Sequence, residues 1–205
     1  MDVVVIGVCG GSGSGKSSLA VALAEHLGDD AVAVLPYDAY YHDLAHLEFD
    51  ERVAVNFDHP DSLDAQLYTA HLEALRLGQA VGVPHYDFSR HIRSGDHTVV
   101  EPRPVVVAEG ILLLSDDLIA SSLDLSVFLD VPESVRYKRR LARDIVERGR
   151  DEADVARQFE ESVAPMHDLF VQPSSLRADL IWNHPWDLAA AAAELAAAID
   201  TIVAV

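Results

Sequence analysis

Apolar residues fall into short unbroken runs, separated by longer stretches with helical spacing. Val3–Cys9, Ala31–Leu35, Val105–Ala108, Leu125–Leu129 and Asp179–Trp182 are the short runs. The continuous β-branched run Val3–Cys9 predicts a strand buried on both faces, Ala31–Leu35, Val105–Ala108 and Leu125–Leu129 read as further buried strands, and Asp179–Trp182 as a short fifth strand. Helical spacing follows the first strand from Lys16 to Leu27 and stops at Gly28. It returns over Asp61–Leu77, with Asp61 or Ser62 as the expected N-cap and Gly78 as the stop. Pro132 is expected in the first turn of another helix, where no N–H is needed, running to about Arg148 before Gly149. Asp151–His167 is expected to be helical up to Pro165, and the Ala-rich stretch Leu188–Val205 to be a packing helix. Tyr37–Pro60 shows little periodicity and is expected to be loop with a short helix. Val81–Val83 and His97–Glu101 are weaker strand signals, and Ser94-Gly95-Asp96 supplies turn chemistry between them. A hairpin insert over about residues 81–101 is therefore expected. Buried strands alternating with helices predict the α/β class, as a doubly wound parallel sheet of about five strands in a single domain over residues 1–205.

Composition narrows the function. The chain has 205 residues, half of them hydrophobic, which is enough for a packed core. Fifteen basic residues against thirty-four acidic ones leave a formal net charge of −19. That argues against a general nucleic-acid binder, which needs a basic face. The acidic surface serves solubility or suits a salty cytoplasm. The apolar tail carries Glu194, Asp200 and Thr201, and crossing a bilayer takes roughly 20 apolar residues, so no membrane span is expected. Asp2 and the glycine-rich turn after Cys9 break any signal-peptide pattern. The one cysteine, Cys9, sits in an apolar run and reads as a buried reduced thiol of a cytoplasmic protein. His42 and His46 are four residues apart but lack a third metal ligand and read as exposed residues.

The first strand runs into Gly10-Gly11-Ser12-Gly13-Ser14-Gly15-Lys16-Ser17-Ser18, which contains G-x-x-x-x-G-K-[ST] between a strand and a helix. Glycines there let successive N–H groups turn toward a phosphate, and the helix N-terminus adds positive potential. Lys16 is placed to reach β/γ-phosphates, and the Ser17 hydroxyl to hold Mg²⁺. Glu109 ends the strand Val105–Ala108, where a carboxylate orients metal-bound water. Asp130, after the next strand, reads as a cap for the helix at Pro132.

Eight of the fifteen basic residues are Arg136, Lys138, Arg139, Arg140, Arg143, Arg148, Arg150 and Arg157. Spacings of three and four put Arg136, Arg139, Arg140 and Arg143 on adjoining helix faces. Asp144, Glu147, Asp151 and Glu152 lie close enough to make this an ordinary salt-bridged helix instead. The arginine-rich stretch, about residues 143–165, is expected to close as a lid over a triphosphate and exclude water. Asp38 follows the second strand, where a carboxylate can take the proton of an attacking hydroxyl. Tyr37, Tyr40 and Tyr41 can wall a flat ligand, and the loops Asn56–Asp61 and His85–His91 add groups suited to a heterocycle.

Taken together, Gly10–Ser18, Asp38-Ala39-Tyr40-Tyr41, Asn56–Asp61, Pro84–Arg93, Glu109–Leu112, Phe128–Arg150 and Ala178–Ile181 resemble, in order, the uridine kinase (uridine–cytidine kinase) family. That family lies within the wider phosphoribulokinase and uridine kinase group of P-loop proteins. The resemblance implies ATP- or GTP-dependent phosphorylation of the 5′-hydroxyl of uridine or cytidine, with Mg²⁺ at Ser17 and Glu109. It implies a general base at Asp38 and a ribose site at Asp58, Arg140 and Gln158. Tyr86 and His91 are then the base-recognition pair, beside Phe88. Arg143, Arg148 and Arg150 are lid arginines, the last also near the acceptor. Asp187 contacts the donor nucleotide, although Trp182-Asn183-His184-Pro185-Trp186 stands where the family usually has Pro-Arg-Gly. A homo-oligomer is implied as well. Two other readings remain: a P-loop kinase for pantothenate or a sugar phosphate, and a nucleotide-dependent ATPase switch.

Overall fold

All five apolar runs pair into one parallel sheet in the computed structural model, which describes residues 3–28 and 30–203. The chain order is β1 (Val4–Gly10), α1 (Lys16–Leu27), β2 (Val32–Pro36), α2 (Phe49–Val53), α3 (Ala65–Arg76), β3 (Val81–Asp87), β4 (Ile92–Val100), β5 (Val105–Gly110), α4 (Asp117–Ser121), β6 (Leu125–Asp130), α5 (Glu133–Arg148), α6 (Glu152–Gln158), β7 (Leu180–Asn183) and a C-terminal helix (Leu188–Val203). The last two residues of the expected packing helix lie outside the described residues. The sheet order is β2-β5-β1-β6-β7, while β3 and β4 form a separate antiparallel hairpin. Register places Cys9 beside Gly110 and Phe128, and Pro36 beside Glu109. The strands that carry the glycine loop, Asp38 and Glu109 are thus neighbours at one end of the sheet, where parallel α/β sheets bind ligands.

Alternation along β1 divides the core. Val4, Ile6 and Val8 pack on one face with Leu19, Ala20 and Leu23 of α1 and with Ala191, Ala192, Leu195 and Ile199 of the C-terminal helix. Val3, Val5 and Cys9 pack on the other with Tyr68, Leu72 and Leu75 of α3, Ile119 of α4, and Val81 and Val83 of the hairpin. Small alanines let the C-terminal helix approach α1 closely. Burial raises the pKa of the Cys9 thiol, as an apolar surrounding requires.

Four expectations are corrected. The α3 helix starts at Ala65 with Asp64 as N-cap, its carboxylate accepting from Leu67 N at 3.1 Å. Asp61 and Ser62 belong to an isolated 3₁₀ turn, because Leu63 is drawn into the core in extended conformation and bridges to Tyr41. In the hairpin, Ser94-Gly95-Asp96 runs inside β4 rather than at the turn. The chain reverses at residues 88–91 instead, where Asp87 Oδ1 accepts from the amides of Ser89 (2.9 Å) and Arg90 (3.1 Å). Side-chain capping by an aspartate replaces the glycine signal there.

The helix from Glu152 also does not stop at Pro165. It continues through π turns at Phe159–Val163 and His167–Val171, each followed by a short α turn with proline in its first positions. Widening the helix ahead of Pro165 and Pro173 relieves the clash that a prolyl ring makes in a regular α-helix. Pro132 is the N-cap of α5 and no side chain caps that helix, so Asp130 does not have the expected role.

Candidate active site

The loop from Gly10 to Gly15 turns on backbone that a side chain would block. Gly13 has φ +81°, and a Cβ there would meet the Arg136 carbonyl of α5. Gly15, at φ +102°, ends the loop as N-cap of α1 without any side-chain cap, so the first amides of that helix remain available to an anion. Lys16 is buried and donates from Nζ to the Gly11 carbonyl at 3.2 Å. Burial lowers its pKa, and the Glu109 charge opposes that shift. Ser17 Oγ donates to Glu109 Oε1 at 2.9 Å. The Glu109 carboxyl is itself buried, and that burial pushes its pKa up against the pull of Lys16. One hydroxyl and one carboxylate are a lean set of oxygen donors. They fit an ion such as Mg²⁺, which keeps waters and takes phosphate oxygens as its remaining ligands.

Asp38 sits in the 3₁₀ turn Tyr37–Tyr40 after β2, exposed and lining the same cleft as Lys16 and Ser17. Behind it, Arg93 of β4 donates to the carbonyls of Tyr41 (Nε, 2.7 Å) and Tyr40 (Nη2, 2.9 Å) and pairs with Asp64 at 3.3 Å. This contact ties the hairpin to the Asp38 turn. Tyr40 faces away from the cleft: it is buried between Tyr68 and His71, with its hydroxyl 2.8 Å from His71 Nδ1. Of the three tyrosines, Tyr37 and Tyr41 line the cleft.

The wall opposite the glycine loop is aromatic. Tyr41 meets Phe57 and Phe88 edge-on and Tyr86 at a tilt. His91 stacks on Phe57 with centroids 4.6 Å apart and planes 18° from parallel. The displaced hairpin turn is what delivers Phe88 and His91 here, the latter at φ +55°. The Tyr86 hydroxyl is buried and has no hydrogen-bond partner. Asp58 is buried next to this wall, and Ser162 Oγ lies 3.2 Å from its Oδ2 and 2.9 Å from Asn56 Oδ1. Burial raises the pKa of Asp58, with Arg140 opposing.

Arginines of α5 and its C-terminal turn roof the cleft. Arg140 Nη1 donates to Ser12 Oγ at 2.9 Å. Arg140 Nη2 and Arg150 Nη1 both donate to Gln158 Oε1 at 2.8 Å. The Arg148 guanidinium lies over Phe88 at 4.7 Å from the ring centroid. Burial lowers the pKa of Arg140, Arg148 and Arg150, yet guanidinium stays charged.

The sequence-derived residues Ser12, Lys16, Ser17, Asp38, Asp58, Tyr86, Phe88, His91, Glu109, Arg140, Arg143, Arg148, Arg150 and Gln158 all line one cleft. Beyond the glycine loop itself, Ser18, Arg136 and Asp187 are not among the residues lining that cleft. Ser18 points outward one position further along α1. Arg136 is buried on the far side of the glycine loop, beside Gly11 and His167, with Nε donating to the Val131 carbonyl at 3.0 Å. Asp187 caps the C-terminal helix, accepting from Ala190 N at 2.9 Å. Its neighbour Trp186 packs beside Gly15, and Arg139 Nη1 donates to the Ser14 carbonyl at 3.3 Å. Sequence reasoning missed Trp186 and Ser162, which are brought in by the tertiary fold and carry no local motif.

Residues 5–186 match the model of the phosphoribulokinase/uridine kinase family. A uridine kinase from Chloroflexus aurantiacus is 45% identical over 179 residues, covering 87% of this chain and 86% of the relative. A uridine kinase from Shewanella halifaxensis is 44% identical over 184 residues, 88% and 87% of the two chains. Among solved structures, a putative fructose transport system kinase from a Silicibacter species aligns with a TM-score of 0.73 at 24% identity, over 88% of this chain and 90% of the other. Phosphoribulokinase from Rhodobacter spheroides aligns at 0.62 and 15% identity, over 89% and 70%. The structural likenesses show a shared fold.

Proposed function

The chain belongs to the phosphoribulokinase/uridine kinase family of phosphotransferases, and we propose that it moves the γ-phosphate of ATP or GTP to the 5′-hydroxyl of uridine or cytidine. One observation carries the proposal. A phosphate loop with Lys16 and an aromatic, hydrogen-bonding pocket for a nucleoside face each other across a single cleft, and Asp38 stands in it.

In this reading the donor triphosphate lies on the glycine loop, Gly10–Ser18, with Lys16 on its terminal phosphate. Ser17 and Glu109 would hold Mg²⁺, which when bound supplies neutralising charge at the phosphates. The nucleoside base lies against Tyr86, Phe88 and His91, and its ribose hydroxyls meet Asp58, Arg140 and Gln158. That placement leaves the primary alcohol facing Asp38. The Asp38 carboxylate accepts its proton as the oxygen attacks phosphorus. Arg143 and Arg148 face the charge on the transferring group, and Arg150 faces the acceptor. Residues 143–165 act as the lid, and closure excludes the water that would otherwise consume the donor. The donor base lies on the Gly15 side, where Trp186 and Arg139 stand next to Asp187.

No helix among the described residues is long and apolar enough to cross a membrane. We place the enzyme in the cytoplasm, acting on small molecules as a homo-oligomer. The test is a panel of acceptors with ATP and Mg²⁺. Uridine or cytidine should give the highest kcat/KM. Preference for pantothenate or a sugar phosphate would overturn the substrate assignment, and rapid ATP hydrolysis without any acceptor would overturn the kinase reading.

A further inference from the structure

Asp144 of α5 has no exposed side-chain surface and is surrounded by four guanidinium groups. Oδ1 accepts from Arg143 Nε at 3.0 Å, with Arg143 Nη2 at 2.9 Å and Arg148 Nη1 at 3.6 Å. Oδ2 faces Arg150 Nη1 at 3.2 Å and Arg140 Nε at 3.6 Å. Among the described residues, no other carboxylate forms an ion pair with these four arginines. The Asp144 carbonyl also accepts from the amides of Gly149 and Arg150, so this one residue closes the turn that carries Arg148 and Arg150.

The arrangement is lopsided for a device of stability alone. A carboxylate removed from water needs compensating charge, but one close partner with good hydrogen bonds supplies it. Four positive charges surround Asp144, and Asp58 and Asp38 of the same cleft offset only part of the excess. Such an excess suits a place where more negative charge is to arrive. The two oxygens divide the arginines into two pairs, each reaching both halves of the cleft, since Arg140 also donates to Ser12 of the glycine loop and Arg148 lies over Phe88. Oδ1 holds Arg143 and Arg148, whose charges act on Lys16 and Asp38 respectively. Oδ2 holds Arg140 and Arg150, which both meet Gln158 and act on the charge of Asp58.

We propose that Asp144 is a positioning residue for phosphoryl transfer: a buried counter-ion whose two oxygens fix the spacing of the four arginines across the donor and acceptor halves of the cleft before substrates bind. The proposal rests on the kinase reading above. Asp144 touches neither substrate, and it acts through the guanidiniums it holds. Without its charge, the arginines still attract a triphosphate, now with one more unit of uncompensated positive charge, but they are no longer spaced for the transition state.

The experiment compares Asp144→Asn and Asp144→Glu with the wild type, measuring kcat, KM for ATP and thermal stability. In Asp144→Asn, KM for ATP should hold or fall, while kcat drops by on the order of a hundredfold, the scale expected for misplaced catalytic groups. Asp144→Glu keeps the charge one methylene away and should give an intermediate kcat with an unchanged KM for ATP. A purely structural role would lower stability and weaken ATP binding and turnover together, and that result overturns the proposal. So does a folded Asp144→Asn with wild-type kcat. Should the asparagine variant not fold, wild-type kcat in Asp144→Glu overturns it equally. All ratios are taken with whichever acceptor the wild type uses best. Failure of the wild type to phosphorylate uridine or cytidine therefore refutes the substrate reading without touching this one.

Discussion

Removing the His91 side chain should weaken nucleoside binding by about fivefold and leave ATP binding unchanged. The imidazole is held by its stack on Phe57, at 4.6 Å and 18°, a contact worth ~0.5–1.5 kcal/mol. A neutral hydrogen bond from its ring to the bound base adds ~1 kcal/mol net. The stack is there with or without nucleoside and cancels in the binding energy, so about 1 kcal/mol is lost, and with each 1.4 kcal/mol roughly a factor of ten in affinity this is about fivefold. ATP is spared because the glycine loop lies across the cleft from the hairpin that carries His91. The backbone at His91 is left-handed, at φ +55°. Alanine therefore keeps the strain, roughly 1–2 kcal/mol, while asparagine tolerates that conformation and retains a polar side chain. His91→Asn should accordingly lose less nucleoside affinity than His91→Ala. Burial first, then the charges of Arg150 and Arg52, lower the His91 pKa, so the ring is neutral at pH 7. Nucleoside affinity should stay level from pH 8 to the ordinary histidine range and change only below it. Calorimetric titration with uridine and with a non-hydrolysable ATP analogue measures both affinities. Equal weakening of the two ligands, or no weakening of uridine, would refute this reasoning.

Three further consequences concern the donor half. The folded protein holds Glu109 at a raised pKa, so between the ordinary carboxylate range and that raised value the folded state binds more protons than the unfolded chain. Stability of the ligand-free enzyme should fall as pH rises through that window. Glu109→Gln removes this contribution, so its melting temperature should gain on the wild type as pH rises from about 4.5, the reference region for glutamate. A pH-independent difference contradicts the account. Glu109→Gln should also lose most Mg²⁺-dependent turnover while keeping its fold by circular dichroism. On the donor-base side, Trp186→Ala should raise KM for ATP by about tenfold without changing KM for the nucleoside, since a base–aromatic stack is worth ~1–3 kcal/mol. Equal KM values for ATP in the two proteins would remove Trp186 from the donor site.

The strands of the main sheet were legible because β-branched runs such as Val105–Ala108 have no other way to bury every side chain. The glycine loop was legible because its spacing directly encodes backbone geometry. What escaped depended on distant partners. The Ser94-Gly95-Asp96 segment carries turn residues yet runs as strand, because the Asp87 carboxylate had already closed the hairpin eight residues earlier in the sequence than Gly95. The start of α3 moved to Asp64 because burial of Leu63 outweighed local capping at Ser62. Helical spacing put Arg136 on a face adjoining Arg140, but only the fold shows that Arg136 lies behind the glycine loop and Arg140 inside the cleft. Asp144 looked like one of several surface acids near a basic helix. Its burial at the centre of four arginines is a tertiary fact that no local pattern announces.

The central claim is that Asp38 receives the proton of the acceptor alcohol opposite the phosphate held by Lys16. Rapid-quench measurement of the chemical step in Asp38→Asn, with uridine and ATP both saturating, tests it most directly. The rate should fall by on the order of a hundredfold or more, the usual reach of general-base catalysis, while both substrates bind as they do to the wild type. A chemical step as fast as that of the wild-type enzyme would contradict it.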